Sequence, residues 1–202
     1  MNGVNIFLAD GFEDIEALGT YDVLQRAGIK AELVAISDDP FVTSSHGITI
    51  GTGSFLSVMD LDAEGTTAQD FMIFPGGMPG SRNLADCKPL IKAMKQHYEA
   101  GGSLASICAA PGLVLGQLDC LEGKKFTCFD GFESGPVSKG AVFVPEGVVA
   151  DGRIITGRSA GYAIAFGLKI VETLKGPEAL AAVRHSMFLP FHCPWHRGSV
   201  QA

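Results

Sequence analysis

One cysteine stands in a run of small, uncharged residues, Ser103-Leu-Ala-Ser-Ile-Cys-Ala-Ala-Pro-Gly112, and that setting suits a nucleophile. A sharp strand-to-helix turn, the nucleophile elbow, pushes its corner side chain out of a sheet and needs small residues two positions away on each side. Ser106 and Ala110 meet that need around Cys108. Pro111 fits a first helical turn, where its missing N–H has no intrahelical partner to lose. A thiol at a helix N-terminus is expected to ionise more readily than a free one, although a free cysteine also packs well as a small hydrophobe. A second group is Glu16. It reads either as a first-turn capping acid or as a carboxyl set against the Cys108 sulfur. Two anions in contact do not persist together, so in the second case the thiol becomes thiolate by passing its proton to Glu16, which becomes a proton shuttle. The loop Pro75-Gly-Gly-Met-Pro-Gly80 offers backbone N–H groups that, with the N–H of Ala109, could form an oxyanion hole; it is equally readable as a tight turn. No GxxxxGK[ST] or GxGxxG motif is present, so nucleotide binding lacks a motif.

These residues need a scaffold that gathers three loops. In an open α/β sheet the crevice lies outside the carboxyl ends of the strands, and Asp10 to Glu16, Pro75 to Gly80 and the Cys108 turn all leave such ends. Short apolar runs alternate with helix-period segments along the chain, which predicts crossover units and a mostly parallel sheet covered on both faces. Strands are expected at Val4–Ala9, Lys30–Ile36, Phe71–Phe74, Ser103–Ile107, Lys125–Cys128, Ala141–Val144, Val148–Ala150 and Arg153–Thr156. Helices are expected over Glu13–Ala27, Pro89–Ala100, the segment after Cys108, and near Gly161–Leu174 and Pro177–His185. Phe41 to Thr52, broken by Ser44-Ser-His-Gly47, predicts a projecting hairpin. Residues 1–188 read as one domain and 189–202 as a tail, where His192, Cys193 and His196 form only a weak zinc signal without a fourth ligand.

Composition narrows the functional classes. The chain has 202 residues, 47% hydrophobic and 18% charged, enough to bury one substantial core. A formal charge of −7 disfavours phosphate backbones and anionic membrane surfaces as partners. Five cysteines at irregular spacing, without a CxxC pair, do not form a secreted disulfide framework, and the N-terminal Val4-Asn-Ile-Phe-Leu-Ala9 lacks the marks of an export signal. A cytoplasmic location is the expectation.

Five segments together are similar to successive motifs of the ThiJ/PfpI superfamily, in its DJ-one-like branch. They are Gly11-Phe-Glu-Asp-Ile-Glu16-Ala, Asp22-Val-Leu-Gln-Arg-Ala-Gly28, Phe74-Pro-Gly-Gly77, Ser106-Ile-Cys-Ala-Ala-Pro111 and Gly157-Arg-Ser-Ala-Gly161. The resemblance implies a flavodoxin-like three-layer sandwich, usually a homodimer, with Glu16 and Cys108 as acid and nucleophile and Gly77 and Ala109 as oxyanion-binding backbone positions. It also points to Gly76, His46, Arg26 and Cys128 as pocket or partner-subunit contributors. Cys128 stands where some members carry histidine, so a Cys-His dyad is not implied. Ala109 replaces the histidine of the protease-like branch, and no later His-x-Glu pair supports a glutamine amidotransferase. The implied activity is a cofactor-independent, metal-free conversion of small reactive dicarbonyls, of glyoxalase III or deglycase type. The alternatives are a redox sensor or stress-response chaperone that uses oxidation of Cys108, and an inactive structural homologue.

Overall fold

The computed structural model describes residues 1–189; His192, Cys193 and His196 lie outside the described residues. β1 (Val4–Leu8) leads to a helix whose first turn, Ile15–Gly19, is wound as a π-helix before α1 (Thr20–Arg26). There follow β2 (Ala31–Ala35), the hairpin of β3 (Phe41–Thr43) and β4 (Thr49–Gly51), β5 (Ser54–Phe55) and β6 (Phe71–Phe74). Next come α2 (Gly80–Asp86), α3 (Lys88–Glu99), β7 (Ser103–Ile107) and the single turn α4 (Ala110–Leu113). β8 (Lys125–Phe126), α5 (Ser134–Val137), β9 (Val142–Phe143), β10 (Val148–Asp151), β11 (Ile154–Gly157) and α6 (Ala163–Ser186) complete the described chain.

Seven strands form one sheet in the order β10-β11-β7-β6-β1-β2-β5. Every pairing in it is parallel except β10 with β11. Successive residues of a strand point to opposite faces, and buried strands of this kind must be apolar on both. The two core clusters divide along that rule. Phe7, Met72, Phe74 and Leu104 pack with Leu84, Leu90, Met94 and Val114. Ile6, Leu8, Ile73 and Ile107 pack with Val23, Leu24, Phe166 and Ile170 on the other side. The sheet is therefore the middle layer of a sandwich, as expected.

Four departures from the sequence reading have local causes. The first helix is not α-helical from Glu13, because the π turn inserts an extra residue beneath Glu16, a feature frequent at functional sites. The segment after Cys108 is one α-turn followed by a 3₁₀ turn at Leu115–Gln117, so little helix dipole acts on the thiol. The two closing helices run on across a break at Gly176, which has φ 81°. α2 and β5 carry too few periodic residues to stand out in the sequence. No helix among the described residues is long and apolar enough to cross a membrane.

Candidate functional site

Cys108 occupies the elbow that its small neighbours allow. Its φ is 67°, a left-handed conformation that costs an L-residue about 1–3 kcal/mol and persists only where the surroundings fix it. They do so from both sides. Cys108 N–H donates to Gly157 O at 3.0 Å at the end of β11, and Cys108 O accepts from Phe129 N–H at 2.8 Å. Ser106 and Ala110 are completely buried, which leaves no room for larger side chains beside the corner.

Glu16 arrives from the π turn after β1 and is only 1% exposed. Its Oε2 accepts a hydrogen bond from Gly76 N–H at 2.8 Å, while its Oε1 is buried without a hydrogen-bond partner. A side chain at Gly76 would collide with both Glu16 Oε2 and the Cβ of Cys108, so glycine is what allows the loop after β6 to close over the pair. Gly77 has φ 92°, and a Cβ there would run into the backbone of Gly11 and Glu13. The three loops expected at the carboxyl ends of β1, β6 and β7 thus meet.

Charge at this junction is unusual. Burial, then the charge of Glu13, raises the Glu16 carboxyl from an ordinary 4.5 to about 7, against an opposing pull from the Cys108 thiol and the Gly76 N–H. Burial, then the neighbouring Glu16 carboxylate, pushes the Cys108 thiol up to about 12, opposed by the N–H groups of Gly77 and Ala109. The expected easing of thiol ionisation by a helix is therefore reversed, since desolvation and an adjacent acid outweigh a one-turn helix. The two groups share protons as a pair. When Glu16 holds one, its push on the sulfur disappears, and the two N–H groups then oppose burial alone.

The other candidates are placed as follows. His46, in the β3–β4 turn, pairs through Nδ1 with Asp14 Oδ2 at 2.5 Å, a bond that raises the imidazole's pKa. The hairpin is pinned to the Glu16 loop by Gly11 N–H to Thr43 O and Ser45 N–H to Phe12 O, each 2.8 Å, so His46 sits at the rim with Asp14 as its partner. Arg26 is bonded to Asp22 at 2.7 Å in the last turn of α1, roughly 15 Å along the helix from Glu16 at 1.5 Å per residue. Cys128 is fully buried in the core beside Phe126 and Val114, one residue from the elbow's Phe129 contact. Glu13, Asp14 and His46 bring one ligand atom each within 4.8 Å of one another, but Asp14 is engaged by His46 and Glu13 by Glu16 N–H at 2.7 Å. That Glu13 bond went unforeseen in the sequence; the signal available was two acids one turn apart, an arrangement that repels unless something compensates.

The chain is similar to known proteins along most of its length. The profile of the DJ-1/PfpI family matches residues 2–173. The chain is 35% identical over 180 residues to Protein DJ-1 homolog B of Arabidopsis thaliana, covering 89% of this chain and 40% of that protein. It thus spans less than half the length of that relative, as it does of Arabidopsis homolog A, at 46%. It is 34% identical over 166 residues to the glutathione-independent glyoxalase DJR-1.2 of Caenorhabditis elegans, covering 82% of this chain and 84% of that one. The crystal structure of Drosophila melanogaster DJ-1beta superposes with a TM-score of 0.82 at 30% identity, covering 95% of this chain and all of the other. With its elbow thiol, buried acid and parallel sheet, the chain belongs to the DJ-1/PfpI family.

Proposed function

We propose that the protein is a cysteine-dependent, cofactor-independent enzyme that converts methylglyoxal-like dicarbonyls, or their adducts, to hydroxy acids. The observation that carries this reading is the pair itself: a half-buried thiol against a buried carboxyl held at 2.8 Å by Gly76 N–H, with two further N–H groups acting on the sulfur. The thiolate attacks the aldehyde carbon to give a hemithioacetal. Gly77 and Ala109 N–H groups stabilise the developing oxyanion. Glu16, titrating near neutral pH, first gives the proton it took from Cys108 to the oxyanion, then takes a proton from that carbon and returns it to the adjacent one, a role that requires an acid able to give and take at the working pH. The hemithioacetal hydroxyl proton passes to the ketone oxygen, so the ketone carbon is reduced to a carbinol while the former aldehyde carbon is oxidised to a thioester, and water cleaves the thioester to release lactate and the thiol. A named relative of glyoxalase activity supports this class of chemistry.

The assembly we propose is a homodimer. Ile15, Phe41 and Ile48, all more than half exposed around the site's rim, supply apolar surface for it, and Arg26 contributes to a site only across such an interface. The decisive experiment is lactate formation from methylglyoxal by wild type, Cys108→Ser and Glu16→Gln. Loss in both variants is expected; wild-type turnover in Cys108→Ser ends the proposal.

A further inference from the structure

Three interactions converge on Glu13. Its Oε2 accepts the N–H of Glu16 at 2.7 Å, its own N–H donates to Gly76 O at 3.0 Å, and its backbone fills the space that a side chain at Gly77 would need. One residue therefore fastens the turn bearing Glu16 to the loop that supplies the N–H donors. Its charge bears on Glu16 as well: after burial, Glu13 is the main cause of the raised Glu16 titration, whereas the largest causes at Cys108 are burial and Glu16.

The surroundings of the two acids are few. Glu16 faces Glu13 from its own turn, Cys108 from the elbow and Gly76 N–H from the loop after β6. Glu13 in turn lies near His46, itself bonded to Asp14. A negative charge beside Glu16 makes the neutral carboxyl the better of its two forms. Moving the pair's proton from sulfur to carboxyl breaks the Cys108 S–H bond and forms a Glu16 O–H bond, with the net charge of the pair unchanged. Glu16 Oε1, buried without a partner, is the oxygen left to carry that proton.

We propose that Glu13 is a positioning residue for the Cys108 site, fixing the turn that carries Glu16 and, by its charge, biasing the shared proton from sulfur toward the carboxyl, which raises the share of thiolate that the substrate meets. This inference rests on the reading of Glu16 and Cys108 as a working pair. Glu13→Gln keeps an acceptor for Glu16 N–H and removes the charge, whereas Glu13→Asp keeps the charge on a shorter arm.

The test is the rate of Cys108 alkylation by iodoacetamide from pH 5 to 10, resolved by peptide mass, in wild type, Glu13→Gln, Glu13→Asp and Glu16→Gln. Expected is a rate about five- to tenfold lower in Glu13→Gln at pH 7, the size of effect that one nearby like charge exerts on a titration, with most of it restored in Glu13→Asp. An infrared carboxylic-acid band from Glu16 at neutral pH, weakened in Glu13→Gln, reads the same proton directly and does not depend on reactivity. A wild-type profile in Glu13→Gln with an altered one in Glu16→Gln overturns the role of Glu13 and leaves the pair standing. Equal slowing in Glu13→Gln and Glu13→Asp overturns the charge effect and leaves geometry alone. An unaltered profile in Glu16→Gln overturns the pair and this inference with it.

Discussion

Cys108 and Cys128 lie across a single backbone hydrogen bond region, Phe129 N–H to Cys108 O, and both thiols are pushed up to about 12, yet they are chemically unlike. At Cys128 the cause is burial, then the charge of Glu133, with Arg158 opposing. No side-chain hydrogen bond among the described residues is a cause of its shift. At Cys108 burial again comes first, but the next cause is a carboxyl that can itself become the acid. The same direction of shift therefore marks a core thiol in one place and, in the other, a thiol set against a carboxyl with which the proposed function has it share a proton. Reactivity is decided by what stands next to the sulfur and by access to it.

The comparison predicts its largest effect in native-state alkylation. Cys108 is half-buried and Cys128 completely so, and a fully buried sulfur reacts only through local opening. Cys128 is expected to be modified about 10³-fold more slowly than Cys108, an opening free energy of ~4 kcal/mol. Similar rates at the two positions would dissolve the contrast.

A smaller loss is expected when the pair is forced apart without changing either member. In Gly76→Ala the new methyl meets Glu16 Oε2 and the Cys108 Cβ, so one of the two must move. Misplacement on the order of 1 Å commonly costs about 100-fold in rate. Dicarbonyl turnover should fall by that factor while Cys128 alkylation stays unchanged; retained turnover shows that the loop yields more easily than its packing implies.

Why so much of this was legible beforehand follows from what each feature depends on. The elbow, the parallel sheet and the meeting of three loops rest on local residue size and on apolar runs with a definite period, and both are visible in one chain. Val4–Leu8, Phe71–Phe74 and Ser103–Ile107 needed little else. The π turn rests instead on how Glu13, Glu16 and Gly76 satisfy one another across 60 residues, and no periodicity encodes that. The direction of the thiol's shift was misjudged for the same reason: burial and α4's single turn are properties of packing. α2 follows directly from the Pro75–Gly80 loop, and its buried face of Ser81, Leu84 and Ala85 is too short to show a helical repeat.

The pH dependence of stability tests the raised Glu16 carboxyl. Glu16 titrates near 7 in the folded protein against an ordinary 4.5, so the folded state holds an extra proton between those values. Stability from this group is complete below about pH 4.5 and is lost as pH rises through 7, by about 3 kcal/mol in all. Urea unfolding of wild type and Glu16→Gln at pH 4.5 and pH 8 reads it as a difference between the two proteins. The variant should gain on wild type toward pH 8; a gap independent of pH removes the raised carboxyl from the account.

The smallest expected effect tests the inert member. Cys128→Ser places a hydroxyl in the apolar core cluster that also holds Val114, Leu115 and Phe126, where a buried polar group without a partner costs about 1–3 kcal/mol. Thermal unfolding should register that cost, because the hydroxyl replaces a sulfur that asks little of its neighbours. Turnover should remain within about twofold of wild type, since none of the groups acting on the Cys108 thiol belongs to Cys128. If turnover instead fell as far as in Gly76→Ala while the fold survived, Cys128 would have to act on the elbow through Phe129 N–H, the one bond that ties its strand end to Cys108 O. The two cysteines would then be parts of one device rather than two thiols with different neighbours.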